Sequence, residues 1–283
     1  MIDLWKLLQL IGRQDWLRFG VRKRLVVAFW RRYGEDCPFD TISFGMRYRG
    51  NLQDYVDRCV YFFGGYEKGM LALLRDRALE LSSGGVFVDI GANVGQHSLY
   101  MSRFCREVHA FEPLPSNLSR LREKLETNDV NNVRVHPFGL GEKAGEFPFF
   151  LPPKQDMGIG TFLEGALTRD DAASLTLPVK EADQYFLEQG IIPDLIKMDV
   201  EGYEAKVLQG MQNVLRKFTP VLVMEFSEML LNEIGGSGNL PELFPYPVRV
   251  RRIVDYGNWH YRLASFEGRP SDILVEPLIE GNG

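Results

Sequence analysis

The chain has 283 residues, a net charge of −5, 45% apolar and 25% charged side chains, the profile of a soluble globular protein with room for one α/β domain and an appended segment. No run of about 18 apolar residues is present to span a membrane. Three scattered cysteines, Cys37, Cys59 and Cys105, lack metal-site spacing and suit a reducing compartment, and no charged, apolar, then small-residue leader opens the sequence, so a cytoplasmic protein is expected.

Charge is unevenly placed along the chain. Residues 1–33 carry +6 and the remaining 250 carry −11. Leu4, Trp5, Leu7, Leu8 and Ile11 recur at helical spacing, as do Trp16, Leu17 and Phe19 ahead of Arg22-Lys23-Arg24. Residues 1–55 are therefore set apart as a basic, amphipathic helical segment, followed by a domain over 56–283. Apolar and basic residues interleaved in this way suit the inner, anionic face of a membrane, with peripheral contact. The other reading is packing on the domain or on a partner subunit in a homo-oligomer. Nucleic acid is not an expected partner, because the body is acidic and no recognition-helix motif appears.

Residues 86–98, VFVDIGANVGQHS, read as a buried parallel strand feeding a glycine turn and then a helix. Gly91 and Gly95 lack Cβ atoms, so the turn is tight and a ligand can lie against its backbone. A second strand, Val108 to Phe111, ends at Glu112, 21 residues after Gly91, the separation at which a carboxylate meets ribose hydroxyls. A dinucleotide fingerprint needs G-x-G-x-x-G, and Asn93 and Gln96 stand at its last two glycine positions. The turn instead suits S-adenosyl-L-methionine, with Asp89 pairing the ammonium of its methionine part and Asn93 offering an amide to its carboxylate.

Further strand-like runs lie at 133–137, 192–198, 220–226, 248–254 and 272–276, seven in all, with helical stretches at 94–104, 115–127 and 203–217. This alternation predicts a doubly wound, mostly parallel α/β sheet of Rossmann-like form. Residues 138–191 are too long for a simple connection. They hold Phe147-Pro148-Phe149-Phe150, a glycine-bearing Met157-Gly158-Ile159-Gly160-Thr161 and a strand-like 175–179, and read as an inserted hairpin acting as a lid, or else as edge protection, with a short helix over 181–189. Gly139 and Leu140 follow the third strand, where an apolar contact would cover the adenine. At the fourth strand end, Lys197, Asp199 and Glu201 alternate and would share one side if the strand continued.

DIGANVGQHS at 89–98, FEPLPSNLSRL at 111–121 and DLIKMDVEGYEAKVLQG at 194–210 resemble the three hallmark blocks of the FkbM-type branch of the class I S-adenosylmethionine-dependent methyltransferases, over about residues 60–227. The resemblance implies a class I sheet closed by an antiparallel pair, and O-methylation of a saccharide, polyketide or lipid hydroxyl. It places Asp199 where the transferred methyl arrives, as a base or as ligand to a divalent cation with Glu225 as second ligand, and it puts Glu67, after Tyr66, near the cofactor. Lys197 and Glu201 join Asp199 as catalytic candidates. Among the histidines, His97 and His260 are weaker acceptor-site candidates, while His109 and His136 fall inside strands. The alternatives are a non-catalytic cofactor-binding scaffold and, less favoured by the glycine pattern, a nicotinamide oxidoreductase.

Overall fold

The computed structural model describes residues 2–14, 18–33, 37–151, 160–163 and 173–278. Two helices, α1 (Ile2–Gly12) and α2 (Phe19–Tyr33), open the chain. Trp5 and Leu8 of α1 and Val26 of α2 are buried in a cluster with Leu52, Cys59, Tyr61, Phe62 and Phe63. The packing alternative therefore accounts for the inward faces of both helices. Leu7 and Leu10 of α1, and Val21, Leu25 and Phe29 at every fourth position of α2, remain exposed. Trp16 and Leu17 lie outside the described residues.

Residues 38–51, expected within a helical segment, instead form a hairpin of β1 (Pro38–Ser43) and β2 (Met46–Asn51). Its two-residue turn, Phe44-Gly45, has positive φ at both positions (40° and 78°), the backbone that keeps a short hairpin's strands in step. Two helices, α3 (Tyr55–Phe63) and α4 (Lys68–Glu80), lead into the main sheet.

The doubly wound unit runs β3 (Val86–Ile90), α5 (Gln96–Met101), β4 (Glu107–Phe111), α6 (Pro115–Thr127) and β5 (Val133–His136). All five β3 residues are buried, as expected of a strand covered by helices on both faces. Next come β6 (Gly139–Gly141), β7 (Gly145–Leu151), β8 (Ala173–Glu181) and α7 (Ala182–Gln189). The chain then re-enters the sheet at β9 (Leu195–Met198), followed by α8 (Glu204–Gly210), α9 (Gln212–Phe218), β10 (Val221–Phe226) and α10 (Glu228–Glu233). It closes with β11 (Val248–Asp255), β12 (Tyr261–Ser265) and β13 (Ser271–Pro277). The expected helix over 203–217 breaks at Met211, where α8 approaches the β6 end so closely that a Cβ on Gly210 would lie 1.9 Å from the Gly141 carbonyl oxygen.

The main sheet has strand order β12-β11-β13-β10-β9-β3-β4-β5. The five strands from β10 to β5 are parallel, and β13, β11 and β12 add antiparallel pairings. The doubly wound sheet is as expected from the sequence, with β12 as an eighth strand. The chain order reverses between β3 and β9, and open α/β sheets bind ligands beyond the carboxyl ends of strands at such a point. The 138–191 segment forms its own sheet, β6-β8-β7, in which β7 and β8 are an antiparallel hairpin. Its strands pair with one another and not with the β5 edge. The tip residues Met157, Gly158 and Ile159 lie outside the described residues.

Candidate active site

Where β3 and β9 run side by side, Asp89 pairs in register with Lys197 and Ile90 with Met198. One step further, the Asp199 amide donates to the Ile90 carbonyl at 3.0 Å. Gly91 has φ +80°, and a Cβ there would lie 1.8 Å from the Asp199 carbonyl oxygen. Glycine is required at 91 first of all so that two strand ends can meet. Gly95, expected beside a ligand, faces α6 instead, and a Cβ there would lie 2.6 Å from Leu121.

A cavity opens over this junction, lined by Gly91, Asn93, Glu112, Asn117, Gly139, Leu140, Phe149, Phe162, Asp199, Glu201 and Tyr203 among others. With its open mouth it encloses about 610 Å³. The Glu112 carboxylate accepts from the Asn93 and Leu114 amides, each at 2.8 Å, and burial pushes its pKa up to about 7 despite these bonds. Gly139 and Leu140 form one wall and Phe149 and Phe162 of the inserted segment form another. The insertion thus reaches over the sheet end.

Among the buried polar atoms of the described residues that lack hydrogen-bond partners, Asn93 Oδ1 and Asp89 Oδ1 stand at this junction. Asn93 has φ +52°, a left-handed conformation uncommon outside glycine and more accessible to Asn than to most residues. Asp89 is fully buried and does not line the cavity. Its Oδ2 accepts from Ser98 Oγ at 2.7 Å, and Lys197 Nζ stands 3.8 Å from Oδ1. An unmade hydrogen bond at a buried acceptor costs on the order of 1–3 kcal/mol; Lys197 offsets that cost at Asp89, whereas Asn93 Oδ1, in the cavity wall, calls for a donor. A ligand bearing an ammonium and hydroxyls supplies that kind of donor.

Behind the junction lies a second chamber, lined by Tyr66, Glu67, Lys197, Asp199, Glu201, Glu225 and Asp272 among others. The alternation expected of Lys197, Asp199 and Glu201 is not what unites them, because β9 stops at Met198. A turn does so, with Glu201 at φ +52° and Gly202 at φ +96°. Asp199 and Glu201 line both the chamber and the cavity. Glu67 lies in the chamber, which adjoins the cavity through Asp199 and Glu201.

Lys197 is buried and donates to Asp199 Oδ2 at 3.2 Å. Burial lowers its pKa, but the carboxylates of Asp199, Asp89 and Glu67 more than compensate and hold it above the ordinary value. The surrounding acids move the other way. Burial first, then mutual repulsion, raises Glu67 and Glu201 to about 8, Glu225 to about 7 and Asp272 to about 6. The chamber is thus an acidic cluster around one ammonium, poised to hold protons near neutral pH.

That cluster gives stability a pH dependence of definite sign. These acids bind more protons folded than unfolded, so their contribution is fully present below their unfolded values near 4.5 and 3.8 and is lost as pH rises to about 8. Thermal unfolding of the ligand-free protein should show stability falling over that window. A Glu67→Gln/Glu201→Gln variant should show a shallower fall, and an unchanged slope would contradict the assignment.

The FkbM methyltransferase domain matches residues 89–263, more than half of the chain. This chain belongs to the FkbM methyltransferase family. It is 30% identical over 159 residues to the hexuronic acid methyltransferase AglP of Haloferax volcanii, covering 56% of this chain and 61% of that protein. It is 31% identical over 160 residues to the methyltransferase sdnD of Sordaria araneosa, covering 46% and 61%. The chain therefore spans about three fifths of the length of these relatives. An FkbM methyltransferase structure from Methylobacillus flagellatus KT aligns with 71% of this chain and 47% of its own at 20% identity and a TM-score of 0.42.

Sequence reasoning missed Asp272, Asn117, Phe149 and Phe162 as site residues. Asp272 pairs in register with Glu225 across β13 and β10, so only the antiparallel topology brings it in. Asn117 sits in the second motif block and hydrogen-bonds Glu112, a position the motif itself offered. His97 is buried, with Nε2 3.6 Å from Glu67 Oε2. His260 is exposed and lines none of these cavities. His109 and His136 are packed ring on ring, 3.0 Å between Nδ1 and Nε2.

Proposed function

We propose that this chain is an S-adenosylmethionine-dependent methyltransferase acting on a hydroxyl of a saccharide or another natural-product acceptor such as a polyketide or lipid. The observation that carries the reading is the unpartnered Asn93 Oδ1 in the cavity wall, beside the strand-end carboxylate Glu112 and next to an acidic chamber. Family membership supports the transfer chemistry, and the hexuronic acid methyltransferase relative supports a saccharide acceptor. A scaffold without chemistry has no use for five carboxyl groups lining one chamber with Lys197. A nicotinamide cofactor is disfavoured at Gln96, whose side chain clamps Tyr66 through both backbone groups, at 2.6 and 3.0 Å, where the dinucleotide pattern needs glycine.

The bound cofactor supplies a methyl group on a cationic sulfonium, which passes to the acceptor oxygen as the carbon–sulfur bond breaks. In this reading Glu112 accepts from the ribose hydroxyls, Asn93 holds the methionine part, and Leu140, Phe149 and Phe162 cover the adenine. Asp89 and Asp199, bridged by Lys197, set a negative potential that favours the cofactor's cationic end. Glu201 lines both the cavity and the chamber and takes the hydroxyl proton, the role that the sequence suggested for Asp199. A raised carboxyl pKa makes it the stronger base. Asp199, already accepting from Lys197, orients that lysine.

A divalent cation on Asp199 and Glu225 fits these residues poorly. Among the described residues, no group of three or more His, Cys, Asp or Glu is arranged to hold a metal. The Lys197 ammonium is hydrogen-bonded to Asp199, the central member of that pair. Transfer of labelled methyl from S-adenosylmethionine to an extract-derived acceptor should therefore proceed unchanged in excess chelator. Turnover that vanishes with chelator and returns with magnesium would overturn the metal-independent mechanism, and no transfer to any extract would count against the reading as a whole.

A further inference from the structure

A third and larger cleft adjoins the chamber, with Tyr66 and Glu67 lining both. It encloses about 1330 Å³ including its open mouth. Its far wall, outside the stretch matched to the family, comes from Arg18 and from Phe19, Gly20, Arg22 and Lys23 of α2. The opposite wall is Lys68 and the turn Asp255-Tyr256-Gly257-Asn258 between β11 and β12. The α2 wall is fixed in place. Phe19 packs edge-on to Phe63 at 5.2 Å and fills the space beside Gly257, where a Cβ would lie 2.3 Å from its ring. Arg22 is buried and donates to the Gly12 carbonyl at 2.9 Å, tying α2 to α1.

The cleft and the chamber are opposite in charge. Four cationic side chains, Arg18, Arg22, Lys23 and Lys68, line the cleft against two carboxyls. Asp255 is turned to the backbone, accepting from the Gly69 and Gly257 amides at 3.1 and 2.6 Å. Glu67 belongs to the chamber's acidic cluster, where burial favours its protonated form. An anionic group entering from solvent is attracted to the basic wall, whereas the chamber beyond offers it, among its described lining residues, only the Lys197 ammonium, already hydrogen-bonded to Asp199. Tyr66 and Glu67, hydrogen-bonded side chain to side chain, stand between the cleft and the chamber, so a neutral hydroxyl reaches the chamber where that pair parts.

Resting on the methyltransferase reading, we propose that this cleft is the acceptor site, and that α2 makes it selective for acceptors bearing a carboxylate or phosphate at a distance from the reacting hydroxyl. The anion sits against Arg18 and Lys23, while the hydroxyl reaches Glu201. The polarity argues against methylation of the anion itself, because a carboxylate nucleophile would have to enter a chamber already crowded with carboxyls. The N-terminal helices then serve recognition, on top of their packing role.

The test is ligand binding to the full chain saturated with S-adenosylhomocysteine, after calorimetry has established that this cofactor product binds. Glucuronate, glucose 6-phosphate and glucose are titrated with NMR detection. At least one of the two anions should bind with a dissociation constant of about 10 mM or tighter, and glucose at least about tenfold more weakly. The carboxylate and phosphate arms decide between the two anions. Arg18→Glu/Lys23→Glu, both exposed positions, should weaken the anion by about tenfold or more with S-adenosylhomocysteine affinity held. Arg24→Glu makes the same charge change as Lys23→Glu alone, on the same helix and outside the cleft lining, and should leave anion binding within about twofold. Glucose binding as well as the anions, no anion binding, or an equal loss in Arg24→Glu would overturn the proposal. Failure of S-adenosylhomocysteine to bind would instead remove the methyltransferase reading, and the acceptor site with it.

Discussion

Replacing Glu201 by Gln should lower methyl-transfer turnover by about 100-fold or more, the usual contribution of a positioned general base. The substitution keeps shape and removes only the acceptor for the hydroxyl proton. It should leave S-adenosylhomocysteine affinity nearly unchanged, because the groups assigned to the cofactor are Asn93, Glu112 and the apolar walls. The pH profile separates this role from a structural one. In the ligand-free protein Glu201 has its pKa raised to about 8 by burial and then by Asp199, Glu225 and Glu204. A bound cationic cofactor lowers it, since a nearby positive charge favours the carboxylate. The wild-type rate should therefore rise with pH to a plateau reached below about 8, and the variant should lack that limb. Wild-type turnover in Glu201→Gln, with Asp199→Asn or Glu67→Gln inactive, would move the base to one of those neighbours.

Glu112→Ala should weaken S-adenosylhomocysteine binding by roughly 1.5–3 kcal/mol for each hydrogen bond to the ribose that it removes, about ten- to a hundred-fold. It should also lower the melting temperature. As a strand-end carboxylate it reads from the sequence as dispensable to the fold, but its two oxygens satisfy the Asn93 and Leu114 amides. Depriving a buried amide of its acceptor costs about 1–3 kcal/mol. Glu112→Gln, which keeps one acceptor oxygen, should recover part of the stability. Thermal unfolding and calorimetry on both variants separate the two effects. Unchanged cofactor affinity in a folded Glu112→Ala protein would refute the ribose role.

The doubly wound sheet was legible because each parallel strand is an apolar run ended by a polar or glycine signal. Val86 to Ile90, fully buried, is the clearest case. Strand β12 escaped because Tyr261-Arg262-Leu263-Ala264-Ser265 pairs only with β11 and has no buried residue, so no apolar run announces it. The β1–β2 hairpin was hidden because charge and helical spacing set residues 1–55 apart as one segment, although Gly45 is a local turn signal and the Phe44-Gly45 turn has positive φ at both positions. At the site, motif reasoning found the strand ends but not what joins them. Lys197 and Asp199 meet through a hydrogen bond at the end of β9, not through continued strand alternation. Gly91 lines the cavity, but the Cβ positions of Gly91 and Gly95 are also taken by the Asp199 carbonyl and Leu121, a strand-end contact and a helix contact that the motif does not announce. Asp272 and the α2 wall come from chain segments with no motif, and only folding brings them to the acidic chamber and to the cleft.

The measurement closest to the central claim is calorimetric titration of the full chain with S-adenosylmethionine, S-adenosylhomocysteine and NAD. The two adenosyl ligands should bind with one-to-one stoichiometry, with Asn93→Ala weakening both and NAD giving no heat of binding. Saturable NAD binding with no response to either adenosyl ligand would contradict the account at its root.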